Sequence, residues 1–62
     1  MDLGYAISFL ENGLRHAEGT LDLQSDMADV GLATPDDVAE WQGKVDSLRD
    51  AVTVLTRAQG QA

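Results

Sequence analysis

The side chains best suited to chemistry are carboxylates in the first half of the chain. Asp22, Asp26 and Asp29 are four and three residues apart, so on a helix they lie on one side. Carboxylate oxygens bind divalent cations, which makes a metal site one interpretation. A calcium loop, however, needs a glycine turn that wraps its carboxylates around the ion, and a straight helix cannot supply one. We therefore predict no metal site and no cofactor.

Residues for covalent or acid–base catalysis are sparse. The chain has one histidine, His16, and no cysteine, and no serine has a base and an orienting acid near it in sequence. A ferritin-like metal motif would need Glu three residues before His16, but that residue is Gly13. The glycines are dispersed and form no phosphate-binding loop. The sequence predicts a protein that is not an enzyme and has no catalytic residues.

Two apolar heptad repeats, one on each side of Pro35, predict two amphipathic helices. Spacings of four and three keep one side of a helix facing a neighbouring helix, and we call that side the seam. The seam comprises Leu3, Ile7, Leu10, Leu14, Ala17, Leu21, Gln24 and Ala28 in the first repeat, and Val38, Trp41, Val45, Leu48, Val52 and Leu55 in the second.

The predicted fold is an all-α antiparallel helical hairpin that forms a single domain, residues 1–62. We place the first helix at about 2–30, the turn at about 31–34 and the second helix at about 35–59. A connection this short favours antiparallel neighbours. A third helix could arise from a break at Gly19, but the heptad phase continues past that residue, so we favour one continuous first helix.

Residues around the predicted turn carry helix-end signals. Gly31 suits the left-handed conformation that closes a helix, and Leu32 could fold back on the last turn. Thr34 is a preferred N-cap, Pro35 fits the first helical position, and Asp37 lies where a capping box places its acidic residue. These signals predict that one helix ends and another begins within a few residues.

Charge is distributed unevenly along the chain. Eleven acidic and four basic residues give a net charge of −7, and no Lys or Arg occurs between Arg15 and Lys44. Glu11 and Arg15 are placed to form a favourable helical pair, as are Glu40 and Lys44. We name Glu18, Asp22, Asp26 and Asp29 the acidic ridge, expected roughly opposite the seam, and together with Asp36, Asp37 and Glu40 they form the acidic end.

Three interpretations of the acidic end remain open. It could be a solvated surface that confers solubility, a docking face for a basic protein partner, or a mimic of a nucleic-acid backbone. Direct nucleic-acid binding is disfavoured because phosphate contacts need a basic footprint, and the chain has four basic residues in all.

The first helix carries a second apolar stripe, away from the seam. We name it the outer stripe and expect it to pack against a second copy, giving a homodimeric four-helix bundle. The alternative is a set of scattered exposed apolar side chains. The outer stripe comprises Tyr5, Phe9, His16, Leu23, Met27 and Val30, and the second helix widens it with Ala51, Val54 and Ala58.

The tripeptide Trp41-Gln42-Gly43 resembles the signature of the WXG family of small secreted helical hairpins. That resemblance implies a tripeptide at the turn, a four-helix-bundle dimer and export. It covers three residues of 62, and here Trp41 is expected about two turns inside the second helix. The interpretation we prefer is a tryptophan on the seam that a glycine follows by chance.

No apolar run approaches the roughly 18 residues of a membrane span, and Asp2 stands where a secretory signal would be basic. We therefore expect a cytoplasmic protein with no membrane partner, and residue usage typical of a GC-rich genome suggests an actinobacterium or its phage. The predicted function is a self-associating protein–protein interaction module, such as an inhibitor or adaptor. The alternative is a structural or exported WXG-like dimer.

Overall fold

A computed structural model describes residues 2–61 as two long helices packed against each other. The first, α1, spans Gly4–Asp29, and the second, α2, spans Pro35–Gln61. Within residues 2–61 there is no β-strand. The prediction of an all-α antiparallel hairpin is confirmed.

Two contacts show the antiparallel pairing along the rod. At the open end, where the termini lie, the Leu3 backbone N–H donates to Gln59 Oε1 at 2.6 Å. Near the middle, Arg49 Nη2 lies 3.4 Å from Glu18 Oε2. The start of α1 therefore lies beside the end of α2, as a short connection requires.

Helix α1 is continuous through Gly13 and Gly19, as the heptad phase predicts. Its bounds differ slightly from the prediction: α1 begins at Gly4 rather than at residue 2 and ends at Asp29, while α2 extends to Gln61 rather than to 59. At the start of α1, Asp2 Oδ1 accepts the Gly4 N–H at 2.8 Å, which satisfies one of the helix's unpaired donors.

Helix α1 ends in a Schellman motif. Gly31 has φ of +81°, the left-handed conformation that favours glycine. The Leu32 N–H donates to the Met27 carbonyl at 2.8 Å, and the Gly31 N–H donates to the Ala28 carbonyl at 3.1 Å. The predicted stop signal at Gly31 is confirmed, while Leu32, which was expected to fold back on the last turn, is 72% exposed.

Helix α2 begins with a reciprocal capping box. The Asp37 N–H donates to Thr34 Oγ1 at 3.2 Å, and the Thr34 N–H donates to Asp37 Oδ2 at 3.0 Å. The Thr34 hydroxyl also donates to Asp37 Oδ2, at 3.1 Å. These hydrogen bonds lower the pKa of the Asp37 carboxyl below 3.8, the backbone bond from Thr34 having the larger effect. The predicted cap is therefore present, with Asp in the position that Glu usually occupies.

The hairpin has a thin interior. Within residues 2–61, only Ala17 and Val45 are fully buried, at 4% and 1% exposed. All other described members of the seam are half-buried, so the predicted seam is the contact between α1 and α2. Two helices can cover only one side of each other, which explains why so few side chains are enclosed.

The shape of the molecule is a rod. Its Cα atoms span 48 × 14 × 10 Å with a radius of gyration of 14.4 Å, whereas a globular domain of this length has about 11 Å. The accessible surface is 4469 Å², compared with about 3,900 Å² expected for a folded monomer of this mass. A single copy therefore leaves more surface in water than a typical domain does.

Ion pairing follows the sequence only in part. Lys44 Nζ lies 3.6 Å from Glu40 Oε1, as expected for an i,i+4 pair. Arg15 instead donates from Nη2 to Asn12 Oδ1 at 2.8 Å, one turn earlier, so the expected pairing with Glu11 is wrong. Both arrangements are solvent-exposed and contribute little to stability.

Candidate functional site

The outer stripe of α1 is largely exposed in a single copy. Tyr5 is 83% exposed and Phe9 66% exposed, both near the open end of the rod. Leu23 and Val30 are exposed near the turn, and Met27 is half-buried. Monomeric proteins rarely leave such a row of large apolar side chains uncovered.

Tyr5 and Phe9 form one aromatic surface. Their ring centroids are 6.5 Å apart, with an interplanar angle of 23°. Residues four apart on a helix are neighbours, and offset aromatic pairs prefer separations of about 4.5–7 Å. The two rings hold each other in place and present a broad apolar patch to the solvent.

The stripe residues of both helices lie on the same side of the hairpin. The contact between Glu18 and Arg49 defines one broad side of the rod. At 100° per residue, Phe9 and Met27 are each about 180° from Glu18 around α1. Ala51, Val54 and Ala58 are likewise about 140–180° from Arg49 around α2. We call this opposite side the apolar face.

The residues that α2 contributes to the apolar face are exposed or half-buried. Val54 is 62% exposed, Ala58 is exposed, and Ala51 is half-buried. His16, at the middle of the α1 stripe, is exposed as well. Of the nine residues that the sequence assigns to an oligomer interface, helical geometry places eight on one side of the hairpin, while Val30 lies just beyond the end of α1. Their role as an interface stays a prediction.

The centre of the apolar face has room for a neighbour. A Cβ built on Gly13 or on Gly19 would meet no atom within 4 Å, other than those of the helix itself. These two glycines lie one turn before and one turn after His16. A second helix could therefore approach the α1 backbone closely at this point.

The acidic ridge begins beside the seam rather than opposite it. Glu18 is half-buried and pairs with Arg49 of α2, so its expected position opposite the seam is wrong. Asp22, Asp26 and Asp29 are exposed, and within residues 2–61 no ion pair involves them. Charge on the ridge is therefore presented to solvent mainly by these three aspartates.

The other residues of the acidic end divide into two groups. Asp37 serves the capping box and Glu40 pairs with Lys44, so both have structural partners within the hairpin. Asp36 is exposed in the first turn of α2, where a negative charge interacts favourably with the helix dipole. A docking surface at the acidic end would therefore rely chiefly on Asp36 and the three ridge aspartates.

Trp41 belongs to the seam, as expected. It is half-buried inside α2, six residues after Pro35, and not at the turn where the WXG resemblance implies it. Lys44 Nζ lies 4.1 Å from the centroid of the ring, a cation–π contact that the sequence analysis missed. The three-residue spacing of the two side chains on a helix was the signal that could have indicated it.

Metal, cavity and membrane features are absent from the described part of the chain. Between residues 2 and 61, no three His, Cys, Asp or Glu side chains are grouped closely enough to hold a metal ion. No cavity opens along this range. No helix among these residues is sufficiently long and apolar to span a bilayer.

The fold and its surfaces define an all-α helical hairpin with an apolar face on one side and an acidic end at the turn. No protein-family model matches the chain, and neither a curated protein nor a solved structure matches it. The resemblance to the WXG signature rests on Trp41-Gln42-Gly43 alone.

Proposed function

We propose that this chain is a non-enzymatic protein–protein interaction module that works as a homodimer. In this proposal two hairpins bury their apolar faces against each other and form a four-helix bundle. The observation that carries the proposal is the exposure of Tyr5, Phe9, Leu23 and Val54 on one side of a rod in which, over residues 2–61, only Ala17 and Val45 are fully buried.

The energetics of burial support association. Full burial of a Phe, Leu or Val side chain is worth roughly 1.5–3 kcal/mol. Phe9, Leu23, Val30 and Val54 are each more than half exposed, so covering eight such side chains in a dimer contributes on the order of 10 kcal/mol. Association costs an estimated 4–15 kcal/mol, and Tyr5 adds further apolar area. Burial of the apolar faces is therefore large enough, by itself, to offset the cost of association.

The acidic end supports a second role, docking of a basic protein. Asp22, Asp26, Asp29 and Asp36 form an exposed negative surface near the turn. Like charges at helical spacing weaken a helix slightly, so the ridge is not explained by the stability of α1. A negative surface attracts positive partners and raises their rate of association, and those partners include nucleic-acid-binding proteins.

The cytoplasm is the compartment that we propose for this activity. The chain contains no cysteine, so its folding requires no oxidising environment. In a bacterium or a phage-infected cell, a small acidic dimer of this kind would serve as an inhibitor or adaptor of another protein.

Self-association is tested by sedimentation velocity on the untagged chain at micromolar concentrations. We expect the mass of a dimer at these concentrations, and a monomer that gains in population on dilution by mass action. A folded monomer at these concentrations would contradict the proposal.

Docking is tested by capture of proteins on the immobilised chain. The ridge variant carries D22K, D26K and D29K, which reverses three exposed charges without touching the seam or the apolar face. We expect this variant to remain a dimer and to lose the basic proteins that the native chain retains.

A matched control separates the ridge from overall charge. The control carries E11K, D46K and D50K, three exposed acidic residues outside the acidic end, and has the same net charge as the ridge variant. Loss of capture only in the ridge variant supports docking at the acidic end. Equal capture by the native chain and both variants favours the alternative, a structural or exported dimer of WXG type whose acidic end confers solubility.

A further inference from the structure

The net charge of the hairpin resides in one half of the rod. The half that contains the turn, residues 16–48, holds eight acidic residues and one lysine. The half that contains the termini, residues 2–15 and 49–61, holds three acidic residues and three arginines. The closed half therefore carries −7 and the open half is neutral. Two copies with their closed halves side by side would place −7 against −7.

Five of the six residues of the outer stripe on α1 are placed symmetrically about His16. Phe9 and Leu23 are each seven residues from His16, and Tyr5 and Met27 are each eleven residues from it. In a twofold interface, if residue i of one copy contacts residue j of the other, then residue j of the first copy also contacts residue i of the second. Two antiparallel copies of α1 that cross at His16 satisfy this condition for Tyr5, Phe9, Leu23 and Met27, whereas Val30 lies opposite Asp2 of the partner subunit.

The smallest residues near the centre of α1 share the same symmetry. Gly13 and Gly19 are each three residues from His16, and the space around both is open. Helix axes in contact lie about 8–10 Å apart, and small residues at the crossing permit the shorter distances. The backbone of α1 is thus least obstructed where the symmetry places the crossing.

We propose that the second copy lies antiparallel on the apolar face, with α1 against α1 of the partner and the twofold axis beside His16. This inference rests on the proposed homodimer and specifies its geometry. Phe9 then meets Leu23 of the partner subunit, and the open half of each copy lies beside the closed half of the other. The apolar face is long enough for such an interface, since the Cα atoms of the rod extend over 48 × 14 Å.

Electrostatics favours this orientation over the parallel one. The Debye length at physiological ionic strength is about 8 Å, comparable to the spacing of packed helices, so charges across the interface are only partly screened. The antiparallel dimer places the neutral half of each copy, which holds Arg15 and Arg57, beside the acidic half of the partner, while Arg49 lies on the side away from the interface. The parallel dimer places the two neutral halves side by side and brings the two acidic ends together.

The absence of cysteine makes the orientation measurable by single-cysteine cross-linking. Under mild oxidation, the His16→Cys variant is expected to form a disulfide dimer, because position 16 lies opposite itself across the twofold axis. Phe9→Cys alone and Leu23→Cys alone should not cross-link, whereas an equimolar mixture of the two should. Asp22→Cys, on the ridge of the same helix, is the control that should stay reduced in every mixture.

The outcomes separate the geometry from the proposed function. A native chain that sediments as a monomer refutes the homodimer itself. A dimer in which Phe9→Cys cross-links to itself, or in which His16→Cys does not, refutes the antiparallel geometry and leaves the homodimer standing. Sedimentation of each reduced variant shows which variants remain dimers and can be scored.

A distance measurement checks the geometry without altering the apolar face. Leu32 lies in the turn, 16 residues beyond His16, and is exposed. Spin labels on the Leu32→Cys variant should be about 48 Å apart in the antiparallel dimer, given a rise of 1.5 Å per residue on each side of the axis. A distance below about 25 Å, as expected for closed ends side by side, would overturn the proposal.

Discussion

Helix α1 carries two apolar stripes of similar period, of which one is covered by α2 and the other is exposed. Along the seam, Ala17 is buried and the leucines on either side of it are half-buried. Along the outer stripe, Tyr5 and Phe9 are mostly exposed although they are the largest apolar side chains of the helix. The difference lies in the neighbour, because α2 faces the seam and no element of residues 2–61 covers the outer stripe.

The comparison shows what a two-helix chain can and cannot cover. A hairpin has one internal contact, so one apolar side of each helix is enclosed and any second apolar side stays outside. The short turn between Gly31 and Thr34 holds α2 against the seam, so α2 does not cover the outer stripe. The second apolar stripe is therefore the feature on which the proposed homodimer depends.

The largest effect on folding and dimerisation is expected when the same negative charge is introduced on the buried side or on the exposed side of α2. Val45 is 1% exposed on the seam, and Val54 is 62% exposed on the apolar face. We expect Val45→Asp to abolish cooperative unfolding, because it buries an unpaired carboxylate in an interior this thin. Val54→Asp should retain helical circular dichroism at high protein concentration and lose the dimer, as measured by sedimentation.

These two variants are controls for each other, since residue types and charge change are identical. Equal loss of helix in both would show that the apolar face is as necessary for folding as the seam. Dimerisation of Val54→Asp with native affinity would show that α2 contributes nothing to the interface. Either result would contradict the distinction between a seam needed for folding and an outer stripe needed for dimerisation.

The next largest effect is expected at Phe9, the aromatic residue nearest the proposed dimer core. Buried aromatic anchors often cost 2 kcal/mol or more when truncated to alanine, about 30-fold in affinity. We expect Phe9→Ala to raise the dissociation constant of the dimer by at least this factor in a sedimentation-equilibrium series. The control, Ser8→Ala, alters an exposed neighbour outside the stripe and should leave the constant unchanged.

Much of the fold was predictable because its signals are local. Heptad spacing predicted the seam, and Gly31 with Thr34 predicted the turn, since each depends on residues within one or two helical turns. The pairing of Glu18 with Arg49 was missed because it depends on how α1 is rotated against α2. Arg15 was assigned to Glu11 although Asn12 was also within reach, and sequence spacing does not rank such alternatives.

The candidate site was predictable only as a set of residues on one side. Periodicity placed Phe9 and Leu23 on a common stripe, and the structure shows that stripe exposed. What covers the stripe depends on another molecule, and no spacing within one chain identifies that molecule. Val54 could be assigned to the same side because the short connection predicted antiparallel helices, and the folded hairpin shows that pairing.

A smaller effect on the stability of the hairpin is expected at the turn between α1 and α2. Thr34→Ala removes the N-cap of α2 and should cost about 1 kcal/mol, or a melting temperature lower by about 4–8 °C. The control, Thr53→Ala, removes an exposed hydroxyl within α2 that bonds only to the Arg49 carbonyl, and should change little. An equal loss in both variants would contradict a specific role for the cap.

The same cap has a pH dependence that follows from Asp37. Its pKa is lower in the folded state than the ordinary value of 3.8, so the unfolded chain binds a proton first as the pH falls. The stabilisation is therefore complete above about pH 4 and is lost as the pH falls below that value through the folded pKa. Thermal melts of the native chain and of Asp37→Asn should converge in this acid range, and a constant difference between them would contradict it.

The smallest expected effect is at the ion pair on the side opposite the apolar face. Arg49 and Glu18 are both about half exposed, and exposed pairs contribute about 0.2–1 kcal/mol to stability. A double-mutant cycle with Arg49→Gln and Glu18→Gln isolates this coupling from the 3.8 Å contact that Arg49 also makes with Asp46. We expect a coupling below 1 kcal/mol that declines further with added salt. A larger, salt-resistant coupling would mean that the charged side holds α1 and α2 together more strongly than its exposure allows. Burial of the seam would then no longer account for the stability of the hairpin.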